Sequence, residues 1–536
     1  MSSKIAILST LLASMFLGGL IRYANFSDYK FYPDGYQNLI VAENIRTYGS
    51  ASGTLGEGGG FYPPFIEWTR PVYPILIDAV DLITSNKEQA AKAVNFALGI
   101  LSIPLAYFLA RKVSGSNVVG VLVALLLSIS FNHVAWGGFI LTEVTGVFVL
   151  LLLLFITYTS VNKASDYLQW QDLLAGVVFA ISLFTRYEYS ILILPVLYLV
   201  YSYAPNPWKY LLNFLTGFLF VLGLMILWLG PWPYGIEPIL HVVINKWWVV
   251  ALFAALILLL KLFRPSALLQ SKVILGILIM FVLLMIADSL GTGILPLKGI
   301  ISFAKTDFSL FILAFAGFIF LHLKRNYEAV VFFGLSVLLL SAAYYQTNPS
   351  MQRYWTHIIP FLLIPAAFML DKFVILARQN KLFILVPVCL LSAQAYTSNI
   401  GSKQWDNGIW MKSGYEEVAA RKVQKITSRE GLLIVSYPEP YYFYSGIPTH
   451  SVADVRPYLF IDDSLNNKNV YVVIDMGMRD YFPEFTKFIE TNFRNKKVLE
   501  FFVDAEYRRR DLIIPENAPV GVYVLNLGEL KQTANK

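Results

Sequence analysis

The sequence is poor in cysteine and in charge. Of its 536 residues one is a cysteine, 14% are charged and 57% are hydrophobic, whereas about a quarter of the residues in soluble domains are charged. Cys389 cannot form an intrachain disulfide, and one cysteine with five scattered histidines offers no zinc framework. A Walker loop, a serine-nucleophile elbow and a metalloprotease motif are also missing. These absences exclude a disulfide scaffold and leave no familiar soluble-enzyme motif.

The net charge of +7 does not indicate a nucleic-acid partner. No basic tract with interleaved aromatic residues is present, and most of the excess lysine and arginine falls in short loops between apolar segments. The mean hydropathy is +0.58, and the apolar residues occur in long blocks. This pattern predicts a protein built for a bilayer rather than for a large aqueous core.

The apolar blocks predict thirteen membrane-spanning helices, each compared with the roughly 20 residues that cross a bilayer. The first is interpreted as a helix rather than a signal peptide, because no convincing cleavage site follows it and many spans do. The fifth and sixth are short, with Arg186 between them. The predicted helices are 4–23, 91–110, 117–134, 142–160, 172–186, 188–204, 210–231, 247–263, 273–290, 307–323, 328–345, 356–371 and 382–398.

Lysine and arginine are divided unevenly between alternate loops. With the N-terminus inside, the cytoplasmic turns hold most of them, and the outer loops hold far fewer. The asymmetry predicts an odd number of spans, a cytoplasmic N-terminus and an extracytoplasmic tail after residue 400. The expected location is therefore the cell or plasma membrane, as a multi-pass integral protein.

Two hydrophilic regions interrupt the apolar pattern. The outer loop 24–90 has helical spacing at 36–47 and 72–83, which predicts short amphipathic helices on the membrane surface. The tail alternates strand-like and helical runs, which predicts a small α/β domain. The predicted organisation is a transmembrane module over 1–399, including the outer loop, and an extracytoplasmic α/β domain over 400–536. The predicted tail strands are 432–437, 470–476, 498–503 and 520–527, and the predicted tail helices are 415–427 and 479–492.

Ionisable residues at membrane depth are costly and mark candidate functional sites. Asp34 follows the first helix, where its carboxylate is placed to accept a proton from an acceptor hydroxyl or amine. The alternative is a helix N-cap, and the two roles are compatible. In the same loop Arg70, beside proline-fixed backbone, is suited to grip a phosphate, or else it pairs with Glu67 at the surface.

Two further charged residues lie near helix ends that are predicted to face outward. Glu143 opens the fourth helix, where the helix dipole favours a negative charge. Its functional interpretation is a second acidic residue that orients an acceptor or binds a cation. Arg186 lies at the outer tip between the two short helices, which indicate a cavity, and its alternative role is an ion pair with Glu188.

Arg353 and Tyr354 come just before a helix that starts on the outer side. Arg353 is a candidate for binding a phosphate or pyrophosphate, with Tyr354 packing or hydrogen-bonding beside it. The alternative is an interfacial anchor of the aromatic belt. Lys298 and Lys305, in another predicted outer loop, are weaker candidates for phosphate binding.

Together these motifs resemble the C-type superfamily of glycosyltransferases, particularly the branch of the protein O-mannosyltransferases and lipid A aminoarabinose transferases. The resemblance covers nearly the whole chain, and the order and spacing of the motifs carry it more than any one of them. The matching residues are Asp34, Tyr36, Ala42, Asn44, Ile45 and Gly49, then Thr69-Arg70-Pro71, Tyr73-Pro74, Thr142-Glu143, Thr185-Arg186, Arg353-Tyr354 with Pro360, and the tail run Tyr441 to Gly446.

The resemblance implies an inverting transfer of a sugar from a polyprenyl- or dolichyl-phosphate carrier to a lipid, glycan or protein acceptor. Asp34 would act as base or acceptor-orienting group, and Glu143 would be the second acid. Arg70, Arg186 and Arg353 would surround the carrier phosphate. Tyr354 would join the three arginines in binding the donor phosphate, and the other residues expected in the pocket are Tyr36, Glu67 and Lys298. No cofactor is certain, and a divalent cation remains open.

Two departures from the family pattern bear on the acceptor and the metal. The first loop lacks the Asp-Glu pair of the protein mannosyltransferases and the Asp-x-Asp of metal-dependent oligosaccharyltransferases. The main rival interpretation is a transporter or flippase of lipid-linked saccharides, which would predict inverted halves and ionisable residues at mid-span. A polysaccharide ligase or polymerase is a second rival, and a non-catalytic scaffold whose outer domain binds a partner is a third.

Overall fold

The computed structural model describes residues 2–24, 33–49, 70–161, 170–229, 267–289, 298–347, 352–398, 415–427, 431–436, 438–451, 469–504, 508–509, 512–513 and 517–534. The chain divides into two compact units, one of residues 1–26 and 93–403, the other of residues 27–92 and 404–536. Each unit is described by itself. The sequence predicted that the loop 24–90 belongs with the membrane-spanning module, whereas the structure groups residues 27–92 with the tail.

Before residue 400, all the described secondary-structure elements are helices. Its α-helices are α1 (Ser2–Ala24), α2 (Pro33–Tyr48), α3 (Val72–Thr84), α4 (Lys87–Ser114), α5 (Asn117–Ser128), α6 (Phe131–Gly137), α7 (Glu143–Val161), α8 (Trp170–Thr185), α9 (Ile193–Tyr203), α10 (Pro207–Leu229), α11 (Ala267–Ser289), α12 (Lys298–Thr306), α13 (Phe308–Leu323), α14 (Tyr327–Thr347), α15 (Ile359–Gln379) and α16 (Leu385–Tyr396). Short 3₁₀ helices cover Tyr187–Leu192, Gln352–Ile358 and Lys381–Ile384.

Twelve of the thirteen predicted spans overlap these helices, and the remaining one, 247–263, lies outside the described residues. By length and composition, six of the described helices can cross a membrane, or up to eight when each of two bent pairs counts as one span. The number thirteen therefore stays a prediction. The single helix predicted at 117–134 is wrong, because α5 and α6 meet at a 50° bend.

Helix α7 forms the centre of the first unit. It is apolar on all sides, and most of its side chains are buried against neighbouring helices. A helix that is hydrophobic all round belongs in the interior of a bundle. Helix α10 differs, because it exposes Leu212, Leu219 and Leu227. An exposed face of leucines is the surface that a bilayer accepts and that water does not.

Glycines allow two helix pairs in the first unit to pack with their backbones in contact. A Cβ atom at Gly176 of α8 would meet the carbonyl oxygen of Phe214, and one at Gly217 of α10 would meet that of Leu173. Gly317 of α13 packs in the same way on Pro365 of α15. Small residues at crossing points let membrane helices approach closely, which is how such helices gain packing energy.

In the second unit, helices α2 and α3 lie side by side. Arg46 near the end of α2 bonds Asp78 at 2.7 Å and Asp81 at 2.6 Å on α3. Lys87 extends this ion-pair network to Glu43. The two helices correspond to the surface helices that the sequence predicted in this loop. The pairs hold α2 in a fixed register on α3.

The tail of the second unit contains a sheet with helices against it. The tail elements are α17 (Tyr415–Gln424), β1 (Leu432–Val435), α18 (Pro438–Ser445), β2 (Thr449–Ser451), β3 (Asn469–Ile474), α19 (Met476–Tyr481), α20 (Pro483–Asn492), β4 (Lys497–Asp504), β5 (Arg508–Arg509), β6 (Leu512–Ile513), β7 (Asn517–Asn526) and α21 (Leu527–Ala534). The five-stranded sheet has the order β2-β1-β3-β7-β4, with β1 parallel to β2 and β3, and β7 antiparallel to β3 and β4.

The core of this sheet follows from the apolar runs that predicted its strands. Ile434, Val472 and Tyr523 from three neighbouring strands pack together with Ile489 of α20. All four predicted strands overlap strands of the sheet. The helix predicted at 479–492 is instead two helices, because Pro483 lacks the N–H that a continuing helix needs.

Helix α18 carries the aromatic run that the sequence singled out. Its Tyr444 and Phe443 contact the ring of Tyr36 on α2, within the same unit. The helix ends where Gly446 adopts a left-handed conformation (φ +67°) and its N–H bonds the carbonyl oxygen of Tyr442. Glycine is the usual residue at this position because it has no Cβ to clash.

Candidate functional site

Four charged side chains are buried together inside the first unit. Arg186 is 0% exposed, Glu143 1%, Arg353 4% and Glu188 5%. The two arginines and two glutamates balance in charge. Burying charges among apolar helices is expensive unless they are paired or serve a function, so this cluster is the candidate site.

Glu143 is held in place by the segment that precedes it. It occupies the first turn of α7, where its charge is favoured by the helix dipole. The side-chain amide of Asn95 on α4 donates to the carbonyl oxygens of Phe139 (2.7 Å) and Leu141 (3.0 Å). Asn95 also accepts from the hydroxyl of Thr145 at 3.4 Å. The backbone before Glu143 and the side chain of Thr145 after it are therefore tied to the same amide.

Arg186 lies in extended backbone between α8 and the 3₁₀ helix that follows. Its Nη1 donates to Oγ1 of Thr142 at 3.2 Å and to Oε1 of Glu143 at 3.3 Å, and its Nε lies 3.7 Å from Oε2 of Glu188. The guanidinium of Arg186 therefore contacts Glu188, which the sequence offered as its partner, and also Glu143.

Arg353 reaches the same carboxylate from the 3₁₀ helix Gln352–Ile358. Its Nε lies 3.8 Å from Oε1 of Glu143, and its Nη2 donates to the hydroxyl of Tyr354 at 3.2 Å. The ring of Tyr354 lies 4.9 Å from the guanidinium of Arg353 and 5.1 Å from that of Arg186. An aromatic ring near two guanidiniums attracts both of them, so Tyr354 helps to keep two like charges close together.

An aromatic group behind the arginines was missed by the sequence reasoning. Tyr344 stacks on Tyr354, and its ring also lies 5.6 Å from that of His357. The hydroxyl of Tyr189 is 2.6 Å from Nδ1 of His357, and both residues are fully buried. Gly146, one turn after Glu143, leaves the space that these two side chains fill.

The only sequence signal for this group was weak. Tyr189 lies three residues after Arg186, in the 3₁₀ helix that follows it, and His357 lies four residues after Arg353, in the 3₁₀ helix that contains both. Aromatic residues are common near the ends of membrane helices for other reasons, so position alone did not separate these residues from an aromatic belt.

The cluster has hydrogen-bonding capacity left over. Nη2 of Arg186 and Oε2 of Glu143 are buried and make no hydrogen bond to any described residue. A buried guanidinium N–H without an acceptor is suited to an anion, and a carboxylate oxygen without a donor is suited to a hydroxyl or a cation. The arrangement can therefore hold an anionic group beside an acid.

The remaining predicted site residues belong mostly to the second unit. Asp34 lies in the first turn of α2, but its side chain is outside the described part of the chain, as is all of Glu67. Tyr36 is buried and contacts Tyr444. Arg70 is half-buried just before α3. The convergence of Asp34 and Arg70 with the arginines of the first unit stays a prediction.

The sequence predicted that Lys298 lies in an outer loop, but the structure places it in a helix. It begins helix α12, which continues to Thr306 and meets α13 at a bend of 99°. Ile300 and Phe303, three residues apart, are both fully buried and lie on one face of this helix. The side chain of Lys298 lies outside the described residues. Within the described ranges, no three His, Cys, Asp or Glu side chains form a group suited to a metal ion.

Comparison with known proteins gives two kinds of match. The model of the dolichyl-phosphate-mannose-protein mannosyltransferase family matches residues 64–228, less than half of the chain, and this range includes Arg70, Glu143 and Arg186. An uncharacterized protein of Aquifex aeolicus is 27% identical over 151 residues, which are 27% of this chain. The matched stretch spans 30% of that relative's own length.

Two solved structures share the fold over almost the entire chain. The oligosaccharyltransferase of Archaeoglobus fulgidus, solved with a tethered acceptor peptide, has a TM-score of 0.56 and 13% identity over 96% of this chain and 76% of its own. ArnT of Cupriavidus metallidurans, in the apo state, has a TM-score of 0.53 and 11% identity over 98% of this chain and 99% of its own. The matched family model and the shared fold both agree with the resemblance predicted from the sequence.

Proposed function

We propose that this protein is a membrane glycosyltransferase that takes its sugar from a polyprenyl- or dolichyl-phosphate carrier. The observation that carries the proposal is the buried cluster of Glu143, Arg186 and Arg353 within an apolar helical bundle. The acceptor is a lipid, a glycan or a protein on the outer face of the membrane. The α/β tail lies on that face, and the N-terminus is cytoplasmic.

The two arginines suit the phosphate of a lipid carrier. A guanidinium presents a planar fork of donors that matches phosphate oxygens, and it keeps its charge in a buried site. Nη2 of Arg186 has no acceptor among the described residues, so a phosphate oxygen supplies one. When the bond between sugar and phosphate breaks, negative charge grows on the phosphate. Donors already fixed around it stabilise that charge without reorganising.

The acids serve the other reactant. In one displacement the acceptor oxygen or nitrogen bonds to the anomeric carbon, and the bond from that carbon to the phosphate oxygen breaks. The bonding electrons leave with the phosphate, and the acceptor proton passes to Asp34, so the anomeric configuration inverts. Glu143 has one oxygen engaged by both arginines. Its other oxygen orients the acceptor or holds a divalent cation.

The comparisons support the donor class. The matching family is named for dolichyl-phosphate mannose, and its model covers helices α3 to α9, nearly all of α10 and two of the three proposed arginines. The fold is that of enzymes named as an oligosaccharyltransferase and as ArnT. Arg70, Tyr36, Glu67 and Lys298 are proposed as further pocket residues on the sequence motifs alone.

The test is a transfer assay with the full-length protein in lipid vesicles. Undecaprenyl-phosphate and dolichyl-phosphate sugars are offered with lipid, glycan and peptide acceptors, and covalent product is measured by mass spectrometry. Asp34→Asn is expected to lower turnover about 100-fold or more, whereas the same change at Asp371 in α15 leaves it near wild type. Unimpaired turnover in Asp34→Asn would show that Asp34 is not the base. Sugar-lipid flux without covalent product identifies a flippase instead.

A further inference from the structure

A buried carboxylate anchors the start of α6 from a distant part of the chain. Asp307, between α12 and α13, is fully buried and accepts from the backbone N–H groups of Phe131 (2.9 Å) and Asn132 (3.0 Å). Its carboxylate also accepts from the side chains of Ser130 (3.2 Å), Asn132 (2.6 Å) and Gln394 (2.9 Å). The first N–H groups of a helix have no partner within the helix, and Asp307 supplies one.

The same network reaches the residue before Arg353. Nε2 of Gln352 donates to Oδ1 of Asn132 at 2.7 Å and to Oγ1 of Thr306 at 2.8 Å, while its Oε1 accepts from Ser302 at 2.8 Å. Gln352 opens the 3₁₀ helix that carries Arg353. Three hydrogen bonds to one buried side chain therefore fix the backbone directly before this arginine.

The network also leads along the chain to Glu143. Helix α6 ends at Gly137, and every residue from 131 to 143 is buried. Because Asp307 fixes the start of this segment and Asn95 fixes its last carbonyl groups, little freedom remains where Glu143 begins α7. Arg353 is thus attached to the network through the adjacent Gln352, and Glu143 through the buried segment 131–142, which contains Asn132.

We infer that Asp307, Asn132 and Gln352 are positioning residues that set the separation of Glu143 and Arg353. The inference rests on the proposed function for its effect on the reaction. None of the three is needed to make the bundle apolar, and each carries polar groups that are costly to bury unless bonded. A fully bonded buried network is rigid, and rigidity matters because a reactive group displaced by about 1 Å can lose about 100-fold in rate.

Gln352→Leu tests the inference, because it removes three hydrogen bonds and keeps an apolar side chain in their place. The matched control is Asn213→Leu, which removes a buried amide that donates to Asp172 at 3.2 Å in the same unit. Ser302→Ala, which removes one bond to Gln352, serves as a milder variant. Undecaprenyl phosphate affinity of the full-length protein and hydrogen–deuterium exchange of 131–143 and 352–359 are measured for each.

We expect Gln352→Leu to weaken the affinity for undecaprenyl phosphate about tenfold or more and Asn213→Leu to change it less than about twofold. Gln352→Leu also speeds exchange in both segments, and Asn213→Leu speeds it in neither. Ser302→Ala gives an intermediate effect. The double variant Asn132→Ala/Gln352→Leu should weaken the affinity by less than the product of the two single fold-changes, because residues of one network are not independent.

Arg353→Gln separates this inference from the proposed function. If that variant binds undecaprenyl phosphate as tightly as wild type, the proposed donor site is wrong. Hydrogen–deuterium exchange is then the measurement that tests the positioning role of the network. Faster exchange in both segments of Gln352→Leu, absent from Asn213→Leu, then supports it. Unchanged exchange in either segment overturns the positioning role whatever the affinities are. Equal loss of affinity in the two variants also overturns it, since the effect would then be general destabilisation.

Discussion

The hydroxyl groups of Tyr36 and Tyr444 lie 3.2 Å apart, although 408 residues separate them in the chain. Tyr444 donates onward to Oε1 of Glu88 at 2.7 Å, so Tyr36 is the donor of the first bond. Burial, with Tyr36 and Glu88 nearby, raises the pKa of Tyr444 well above its ordinary value, which keeps this hydroxyl protonated. Within the second unit, helix α2, which bears Asp34 in its first turn, is thus bonded to helix α18 of the tail.

Tyr444→Phe removes the hydroxyl that joins these two bonds. We expect the free energy of unfolding to fall by about 1–3 kcal/mol, because the hydrogen bond to Glu88 and the bond from Tyr36 are both lost. Hydrogen–deuterium exchange should rise in α2 and α18. Tyr396→Phe, at a residue that is 65% exposed, is the control and should leave both unchanged. Equal exchange in the two variants would show that the tail does not hold α2.

Arg186→Gln removes the most deeply buried charge of the site. We expect donor turnover to fall about 100-fold or more, since a fixed donor to the phosphate is lost. Stability should also fall by about 3–5 kcal/mol, because Glu143 and Glu188 lose a buried partner. Steady-state transfer kinetics and thermal unfolding measure the two effects.

Arg186→Lys distinguishes charge from geometry at the same position. Lysine keeps the positive charge but not the planar fork, so it cannot reproduce the bonds to Thr142 and Glu143 together with a phosphate contact. We expect a partial loss of turnover, between wild type and Arg186→Gln. The exposed Arg378→Gln is the control and should behave as wild type. Full activity in Arg186→Lys would mean that only the charge matters.

Gly146→Ala tests whether the aromatic group behind the arginines matters. A Cβ atom at this position would meet the hydroxyl of Tyr189 and lie 2.9 Å from Cε1 of His357, so their hydrogen bond must shift. We expect weaker binding of undecaprenyl phosphate, by about tenfold. Gly137→Ala makes only an ordinary contact with Val144, 3.5 Å away, and should bind normally. Unaltered binding in Gly146→Ala would show that the arrangement of Tyr189 and His357 does not affect binding of undecaprenyl phosphate.

Gly217→Ala measures the close packing of α8 and α10. The added methyl group would meet the carbonyl oxygen of Leu173, which is backbone and cannot rotate away. We expect destabilisation of about 1–3 kcal/mol. Gly223→Ala, in the same helix with nothing within 4 Å, should be neutral or gain up to about 1 kcal/mol from helix propensity. Thermal unfolding in detergent compares them, and equal melting temperatures would contradict the packing.

Asp475 gives a pH-dependent prediction for the sheet. Burial raises the pKa of this carboxyl above its ordinary value of 3.8, while hydrogen bonds from Met478, Ser436 and Tyr441 oppose the rise. The folded state therefore holds this proton to higher pH than the unfolded state, and the resulting stability is lost as pH rises through the folded pKa. Relative to Asp475→Asn, wild type should gain melting temperature between pH 7 and pH 4. A constant difference would contradict the raised pKa.

Much of the helical layout could be predicted because hydrophobicity is a property of each segment. The fourth predicted span, 142–160, differs from α7 by one residue at each end. Glu143, Arg186 and Arg353 were also visible as single charges at the ends of apolar runs. The ion pairs that these residues form were not visible in the sequence. Nothing local to Arg186 distinguishes Glu188 from Glu143 as its partner, and in the structure Arg186 contacts both.

The break between α5 and α6 shows why the rest needed coordinates. Residues 128–130 contain neither proline nor glycine, and the sequence predicted one helix through them. The new helix starts there because Asp307, 175 residues away, accepts from its first N–H groups. The role of Asn95 also needed the structure. A polar residue inside an apolar run looks the same in the sequence whether it faces lipid or bonds a distant carbonyl group.

The sequence by itself determined that this chain is a bundle of apolar helices with a strand-containing tail, because the transfer of each segment out of water depends on its own side chains. Tertiary structure decided which charges meet, where one helix stops and which tyrosine of the tail bonds α2. These outcomes depend on partners far along the chain, and a buried polar group is stable only with the particular partner that the fold brings to it.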